Sequence, residues 1–277
     1  MILVTGGTGK TGSRVARRLV EHGVAARIAS RSGEGTKAQE GVKFDWHEAA
    51  TYREALRNVT TIYLVAPTDT TDSLGAMLPF LKEALRTGVS RFVLLSASSL
   101  EKGGPMMGRV HTWLSANAPD WTVLRPTWFM QNFSEQHLST IRDESTLYTA
   151  TEDGRVPFID ADDIAAAAQT VLLAPEAYNR DFLLTGPEVL SYDNVAEILT
   201  EVTGRPITHT RLSERDLRLR FQALGIEADY AASLAAMDSA IAQGAEDRLS
   251  DAVLTLSGEA PERFARFAAN NAWRWTA

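Results

Sequence analysis

The sequence predicts an α/β protein, in which a doubly wound parallel sheet is followed by a smaller, mostly helical C-terminal lobe for the substrate. Three observations lead to this fold class. Apolar runs of strand length alternate with helical patterns, a glycine-rich turn joins the first run to the first helix, and the alternation stops near residue 187. Because strands that alternate with helices build parallel sheets, we expect a nucleotide-binding domain over 1–150, joined by late strands at about 156–186, and a helical lobe over 187–277.

The individual elements follow in order from apolar periodicity and from its breaks. Strands are predicted at 1–5, 25–30, 42–45, 61–65, 91–96, 121–126 and 180–184. Helices are predicted at about 13–22, 52–56, 74–87, 106–116, 161–168, 192–204, 214–225, 228–244 and 260–273. Gly23, Gly88 and Gly204 end three of these helices, and Pro126 ends the sixth strand, because glycine favours helix C-termini and proline cannot continue a sheet ladder.

The composition is that of an ordinary globular chain, and it excludes several functions. The 277 residues carry a net charge of −7 and no cysteine. The negative charge argues against nucleic acid as a partner, and the missing cysteines exclude disulfides and thiolate metal sites. No apolar stretch could span a bilayer, and the first strand starts at Met1, where a signal peptide would lie, so we expect a cytoplasmic protein without a membrane partner. The five histidines lack metal-ligand spacing, so no metal is expected, and the chain is expected to be a monomer or a homodimer.

The first strand runs directly into the turn Gly6-Gly7-Thr8-Gly9-Lys10-Thr11-Gly12 and then into an amphipathic helix. Glycines at 6, 9 and 12 allow a tight turn, close approach of a pyrophosphate, and close packing of the helix on the strand. The helix directs its first N–H groups and the positive end of its dipole toward the phosphates. An ATP-binding P-loop would need glycine where Val4 stands. We therefore predict a dinucleotide site formed by Gly6, Thr8, Gly9, Lys10 and Thr11.

The end of the second strand indicates which nucleotide is bound. An NAD site usually places an Asp or Glu there to bind the ribose 2′-hydroxyl, whereas an NADP site has arginine. Here the residues are Ser30-Arg31-Ser32, so Arg31 is expected to pair with a 2′-phosphate. NADP(H) is favoured over NAD(H), which stays the second choice. The alternative is that Arg31 is a solvated loop charge.

Ligands on a doubly wound sheet bind at the carboxyl ends of the strands, so the residues that follow the strands should converge there. For the cofactor these residues are Asp45, Trp46, Ala66, Pro67, Ser96, Ala97 and Pro126. For the substrate they are Ser98 and the cluster Trp128, Phe129, Asn132 and Phe133, against which a flat ring could rest. Aromatic residues at this spacing also occur in hydrophobic cores, and that alternative stays open.

Four motifs together resemble the NmrA-like branch of the atypical short-chain dehydrogenases. They are the turn Gly6 to Gly12, Trp121 to Phe133 (WTVLRPTWFMQNF), Pro157 to Ala165 (PFIDADDIA) and Leu184 to Glu188 (LTGPE). The resemblance implies a Rossmann domain that binds NADP(H) or NAD(H), with a smaller C-terminal region building the substrate site. Similar proteins include quinone reductases, ergot-alkaloid iminium dehydrogenases, tailoring enzymes of aromatic polyketide pathways, and proteins that sense the cofactor without turning it over.

The chain departs from the wider superfamily at the proton donor. Typical short-chain dehydrogenases use Tyr-x-x-x-Lys, in which the lysine lowers the pKa of the tyrosine. None of the five lysines here has a tyrosine four residues before it. Reduction of an iminium needs no proton, and a quinone can take one from water or from an imidazole. We therefore expect direct hydride transfer with His111 as the candidate catalytic residue. A packed or surface histidine is the alternative.

These observations favour an NADPH-dependent oxidoreductase of secondary metabolism that reduces a flat conjugated small molecule, such as a quinone, an imine or a polyketide intermediate. Two alternatives stay open. The missing Tyr/Lys pair also fits an NAD(P)-binding redox sensor or partner protein without turnover. The resemblance to polyketide tailoring enzymes also implies a monooxygenase or a quinone-forming enzyme.

Overall fold

The computed structural model describes residues 1–276, which form two compact units. The first unit contains Met1–Pro126, Ala161–Leu184 and Asp251–Glu259, and the second contains Thr127–Asp160, Thr185–Ser250 and the described chain from Ala260 onward. Residues 127–150, which the sequence analysis placed in the nucleotide-binding domain, therefore lie in the second unit. Residues 251–259, expected in the helical lobe, lie in the first.

The strands are Ile2–Thr5 (β1), Ala26–Ser30 (β2), Glu40–Lys43 (β3), Thr61–Val65 (β4), Arg91–Leu95 (β5), Asp120–Pro126 (β6), Thr146–Thr149 (β7), Arg155–Val156 (β8), Arg180–Leu184 (β9), Leu190–Ser191 (β10) and Thr208–Arg211 (β11). The helices are Lys10–Glu21 (α1), Tyr52–Ala55 (α2), Ser73–Arg86 (α3), Met107–Asn117 (α4), Gln131–Ser134 (α5), Leu138–Glu144 (α6), Ala161–Leu173 (α7), Tyr192–Thr203 (α8), Glu214–Ala223 (α9), Ala228–Ala242 (α10), Ala252–Ser257 (α11), Phe264–Asn271 (α12) and Trp273–Thr276 (α13).

The first unit contains a parallel sheet of seven strands in the order β3-β2-β1-β4-β5-β6-β9. β1 pairs with β2 on one side, Ile2 lying opposite Ala26, and with β4 on the other side, Ile2 lying opposite Thr61. All four residues of β1 are buried, as expected for a central strand of a parallel sheet that is covered on both faces. The predicted doubly wound sheet is confirmed, and the strand order reverses beside β1.

Helices α1 and α7 pack against each other in the first unit. The buried face of α7 is rich in alanine, including Ala161, Ala165 and Ala168, and these small side chains let the helices approach closely. Arg14 Nε donates to Asp162 Oδ2 at 3.0 Å, and Arg17 also pairs with Asp162. Because Asp162 lies in the first turn of α7, its charge also favours the helix dipole.

The second unit contains two small sheets that the sequence analysis did not predict. β7 runs parallel to β11, with Thr146 opposite Thr208, and β8 runs antiparallel to β10, with Val156 opposite Leu190. Of the late strands expected at about 156–186, only β9 joins the main sheet within the described chain, because Val156 pairs with β10 instead.

Aromatic side chains form the core of the second unit around Phe133, whose ring centroid lies 5.0 Å from that of Phe158 and 5.0 Å from that of Phe264. The buried indole of Trp275 donates from Nε1 to the Phe133 carbonyl oxygen at 2.9 Å. The helix predicted at 260–273 is divided at Ala272 into α12 and α13, although Ala272 itself has right-handed helical backbone angles.

Candidate functional site

The turn between β1 and α1 has the backbone geometry that its glycines predict. Gly6 has φ +59°, in the left-handed region that favours glycine, and a Cβ there would lie 3.0 Å from Val65 Cβ of β4. The N–H of Gly9 donates to the Gly6 oxygen at 2.9 Å, which closes the turn. A Cβ on Gly12 would lie 2.2 Å from that same oxygen. The glycines therefore bring the main chain of the turn close to the Val65 side chain and to the first turn of α1.

The start of α1 suits an anionic ligand. Its N-cap is Gly9, and its first turn, Lys10-Thr11-Gly12-Ser13, contains no carboxylate that would occupy the N–H groups or oppose a phosphate. Thr8 and Gly9 are exposed, Lys10 is half-buried and Thr11 is buried. Because helix N-termini hold phosphates through N–H groups and the dipole, this cradle fits the pyrophosphate of a dinucleotide.

Tyr63 of β4 lies beside Thr11 and was missed by the sequence analysis. Its side chain is fully buried, and burial raises the pKa of its hydroxyl, while the Thr11 hydroxyl has the opposite, smaller effect. Tyr63 lies opposite Val4 in the register of β4 on β1. Its interaction with Thr11 places its hydroxyl beside the first turn of α1. A single apolar strand pattern does not distinguish such a residue from an ordinary core aromatic.

The turn after β2 leaves Arg31 available for a ligand. Ser30 Oγ accepts the N–H of Gly33 at 3.1 Å and lies 3.3 Å from Ser32 Oγ, which fixes the turn. Arg31 is exposed and has no hydrogen bond or ion pair with any of residues 1–276. An exposed arginine held out by a short ordered turn fits the recognition of a ribose 2′-phosphate.

Two further predicted pairs follow β3 and β4. Asp45 accepts the N–H of His47 at 2.9 Å, and the Trp46 ring packs edge-on against Phe44, at a centroid distance of 4.8 Å. Ala66 and Pro67 follow the last residue of β4 and are half-buried. All four residues stand at the carboxyl ends of strands, where the sequence analysis placed them.

Ser96 and Pro126 stand at the ends of neighbouring strands, β5 and β6. The N–H of Ser96 donates to the Leu124 oxygen at 2.8 Å, and its side chain is only 6% exposed. Its hydroxyl has no hydrogen-bond partner among residues 1–276. A buried hydroxyl without a partner costs about 1–3 kcal/mol, so this position favours a bound polar group. Ala97 follows and is half-buried.

Arg125 of β6 connects the segment after β5 with β9, and the sequence analysis assigned it no role. Its Nη2 donates to the Ser98 oxygen at 2.7 Å, its Nη1 donates to Asp181 of β9 at 2.9 Å, and it also pairs with Glu101. The N–H of Ser98 in turn donates to the Pro126 oxygen at 2.9 Å. The signal for this role is a charged residue inside an otherwise apolar strand.

His111, the predicted catalytic residue, is buried on α4 with 1% exposure. Its ring lies 5.3 Å from that of Trp121, and neither ring nitrogen has a hydrogen-bond partner among residues 1–276. Burial is the largest influence and lowers the pKa of His111. Asp181 opposes it as the next largest, Lys102 and Arg125 lower the pKa further, and Glu101 raises it least. The imidazole is therefore neutral near pH 7, and any proton that it donates would come from a neutral ring. Its catalytic role stays a prediction.

The predicted substrate residues of the second unit differ in how deeply they are buried. Trp128 and Phe129 are half-buried and are held by the neighbouring segment, since the Trp128 oxygen accepts the N–H of Ile159 at 3.0 Å. Asn132 is half-buried and its oxygen accepts the N–H of His137 at 2.9 Å. Phe133 is 1% exposed at the centre of the aromatic core. The roles of all four in substrate binding stay predictions.

Residues 1–276 contain no helix that is both long and apolar enough to cross a membrane. They also contain no group of three or more His, Cys, Asp or Glu side chains placed to hold a metal ion.

Two family models match the chain. The model described as NAD(P)H-binding matches residues 6–175, and the model described as the NmrA-like family matches residues 110–259. Together they cover the cradle, the strand ends and most of the second unit.

Proteins of similar sequence match over nearly the whole chain. Agroclavine dehydrogenase of Claviceps fusiformis is 44% identical over 284 residues, which cover 99% of this chain and 98% of that protein. An uncharacterized oxidoreductase of Bacillus subtilis (strain 168), YesF, is 44% identical over 276 residues, which cover 99% of this chain and 96% of that protein.

A solved structure confirms the fold at lower identity. The NADPH-dependent quinone oxidoreductase QOR2 from Escherichia coli, in complex with NADPH, has a TM-score of 0.84 at 19% identity. The match covers 98% of this chain and 99% of that chain.

Proposed function

This chain belongs to the NmrA-like family of NAD(P)H-binding proteins and is an NAD(P)H-dependent oxidoreductase, and from that premise we propose that it uses NADPH to reduce a flat conjugated small molecule such as an imine or a quinone. The observation that carries the proposal is the cradle from Gly6 to Gly12, which is closed by main-chain contacts and followed by a helix start without carboxylates. Gly6, Thr8, Gly9, Lys10 and Thr11 hold the pyrophosphate in this proposal.

The remaining cofactor contacts lie along the carboxyl ends of the strands. We assign the 2′-phosphate to Arg31, which is exposed and without a partner in residues 1–276. The adenosine and nicotinamide ends are assigned to the other strand-end residues, Asp45, Trp46, Ala66, Pro67, Ser96, Ala97 and Pro126. The unpartnered hydroxyl of Ser96 supports a polar contact there.

When bound, NADPH supplies a hydride from C4 of its nicotinamide ring. The Tyr-x-x-x-Lys pair that protonates an alkoxide is missing from the sequence. In this proposal the chain therefore contributes the positioning of the acceptor against the nicotinamide and the exclusion of water. An iminium becomes an amine without a proton, so it is the acceptor that suits this chain best. The name of the relative agroclavine dehydrogenase supports a redox reaction on a small organic molecule.

Roles in substrate binding are assigned in this proposal to Ser98 and to the predicted residues Trp128, Phe129, Asn132 and Phe133. Trp128 and Phe129 have exposed surface for a flat ring. Phe133 is enclosed, so its contribution in this proposal is to support the segment that carries the other two. His111 is assigned as the proton donor for acceptors that need one, such as a quinone.

The test is a matched set of acceptors. NADPH consumption is measured with a dihydroisoquinolinium ion, with tetralone as the ketone of similar shape, and with menadione as the quinone. We expect turnover of the iminium and of menadione, and none of the ketone.

Three results would refute the proposal. Reduction of tetralone at a similar rate would show that a proton donor equivalent to the tyrosine exists. Tight NADPH binding without consumption on any acceptor would favour the sensor, and oxygen uptake coupled to product formation would favour the monooxygenase.

A further inference from the structure

The end of β7 in the second unit is held by two titratable side chains that the proposed reaction does not use. Thr149, Ala150 and Thr151 are 1%, 5% and 0% exposed. His209 of β11 contacts the Thr149 hydroxyl, and Asp238 of α10 accepts the Ala150 N–H at 3.0 Å. Three consecutive buried residues therefore depend on the protonation states of two buried groups.

The hydrogen bonds of His209 have a single direction. A carboxylate can only accept, so His209 Nδ1 donates to Asp193 Oδ1 at 3.0 Å. The neutral ring then has no proton on Nε2, which accepts the Thr149 hydroxyl at 2.7 Å. The Thr149 oxygen accepts both the hydroxyl of Thr151 at 2.7 Å and its N–H at 3.3 Å.

Protonation of His209 reverses this arrangement. With a proton on Nε2, the ring donates at both nitrogens, so the Thr149 hydroxyl must turn to accept from it and direct its own proton to Thr151 Oγ1. The Thr151 hydroxyl then loses its acceptor, and it has no other side-chain hydrogen bond among residues 1–276. A buried hydroxyl proton without an acceptor is costly.

We propose that residues 149–151 form an acid-sensitive latch, which is closed while His209 is neutral and opens when His209 takes up a proton. Opening separates the end of β7 from β11. Because the Ala150 N–H is the hydrogen bond from this turn to α10, opening also loosens the attachment of α10 and of α9, which packs against it. This inference is independent of the proposed reaction and holds with or without a cofactor.

The groups around His209 set where it titrates. Asp193 of α8 favours the protonated ring, and Glu152 after β7 does so more weakly. Arg211 of the same strand opposes it, and the Tyr192 ring of α8 covers it at a centroid distance of 5.7 Å. Burial is the largest influence, and the pKa of His209 is lowered overall. The latch is therefore closed at neutral pH.

The series of carboxylate, imidazole and hydroxyl also resembles the arrangement of a hydrolase triad, but the burial of the hydroxyl excludes that use. Thr149 is 1% exposed, and the His209 side chain is 0% exposed. A nucleophile must reach its substrate, and this hydroxyl is enclosed. The arrangement instead controls the conformation of the turn.

The test is an NMR titration of the intact chain from about pH 8 to about pH 5, following the His209 ring and the amides of residues 149–151. We expect the three amides to shift with the same midpoint as the ring. The Asp238→Asn variant removes the second titrating group, and the shared midpoint should persist there. If the amide shifts disappear in that variant, or if His209 stays neutral until the whole chain unfolds, the latch is refuted.

Thr149→Val removes the hydroxyl at nearly constant shape, and Thr149→Ser is the matched control that keeps it. At about pH 8 we expect Thr149→Val to melt about 2–4 °C below the native chain, and the difference to shrink at least twofold at about pH 5. The reason is that acid has already broken the bond that valine removes. A difference that is equal at both pH values would overturn the proposal, as would His209 protonation that leaves the amides unmoved.

Discussion

The backbone oxygen of Gly6 lies 2.2 Å from the position that a Cβ on Gly12 would occupy. The end of β1 and the first turn of α1 thus meet through main-chain atoms, and even a methyl group would force them apart. This close contact fixes the position of the first turn of α1, where the phosphates are proposed to bind.

Gly12→Ala should therefore weaken NADPH binding at least tenfold, although alanine usually stabilises a helix interior. The measurement is a fluorescence titration with NADPH, with the melting temperature recorded in parallel. Glu21→Ala, at the exposed far end of α1, is the matched control and should bind as the native chain does. If Gly12→Ala bound NADPH with native affinity, the proposed role of residues 6–12 in holding the cofactor would be contradicted.

Arg31→Ala should weaken NADPH selectively. The loss of a charge-assisted contact to the 2′-phosphate corresponds to about 1–3 kcal/mol, or about 5- to 150-fold in affinity, whereas NADH should change less than about twofold. Isothermal titration with both nucleotides measures the two affinities. Arg53→Ala, another exposed arginine of the first unit, should affect neither nucleotide. Equal losses for NADPH and NADH would show that Arg31 does not read the phosphate.

His111→Gln should distinguish acceptors that need a proton from those that do not. If the ring supplies the proton, quinone reduction falls by about 100-fold while iminium reduction is unchanged. Because burial lowers the pKa of His111, the ring is neutral above its ordinary range, and quinone turnover should show no inflection from this residue above about pH 7. Steady-state rates with both acceptors decide the matter, and an equal loss on both would assign His111 a structural role.

Asp238→Asn should stabilise the chain at neutral and alkaline pH. Burial raises the pKa of Asp238 from 3.8 to about 6, so the folded state disfavours the ionised form. The cost of this ionisation is fully present above about pH 6 and is relieved as the pH falls toward 3.8. Asparagine keeps an oxygen for the Ala150 N–H and removes the charge, so we expect a gain of about 1–2 kcal/mol at high pH that disappears in acid.

Urea unfolding across this pH range measures the effect of Asp238→Asn. Asp229→Asn, an exposed aspartate in the first turn of the same helix, is the matched control and should show no such pH-dependent gain. A gain in Asp238→Asn that is constant with pH would mean that Asp238 is not the titrating group.

The first unit could be predicted from the sequence because its signals are local. β1, the glycine turn and α1 follow one another directly, and each has its own pattern of apolar residues and breaks. β4 begins and ends as predicted, since its apolar run is bounded by polar residues and proline. The residues that follow the strands stand at one edge of the sheet because parallel strands share a direction.

The second unit was harder to predict from the sequence, because its contacts join residues that are far apart in the chain and are mostly polar. β7 and β11 contain Thr-Leu-Tyr-Thr and Thr-His-Thr-Arg, neither of which has a clear apolar alternation, and Thr146 pairs with Thr208 across 62 residues. The hydrogen bond from the Thr149 hydroxyl to His209 spans 60 residues. No pattern within either segment indicates its partner.

The sequence also could not show which residues of the candidate site are buried. The aromatic cluster from Trp128 to Phe133 left pocket and core as equal alternatives, and the structure divides it by exposure, with Phe133 enclosed and Trp128 partly open. The surroundings of His111 include Trp121 and Arg125 of β6, Asp181 of β9 and the charges of Glu101 and Lys102, so its lowered pKa could not be predicted from the sequence.

The central claim is that this chain transfers a hydride directly from NADPH to an electron-poor acceptor. The most direct measurement uses NADPH deuterated on one face of C4 and a dihydroisoquinolinium ion, with the amine product analysed by mass spectrometry and NMR. We predict one deuterium, on the carbon of the former C=N bond and on a single face, when the correct face of C4 is labelled. A product without deuterium from either labelled face, or with hydrogen taken from the solvent at that carbon, would contradict the account.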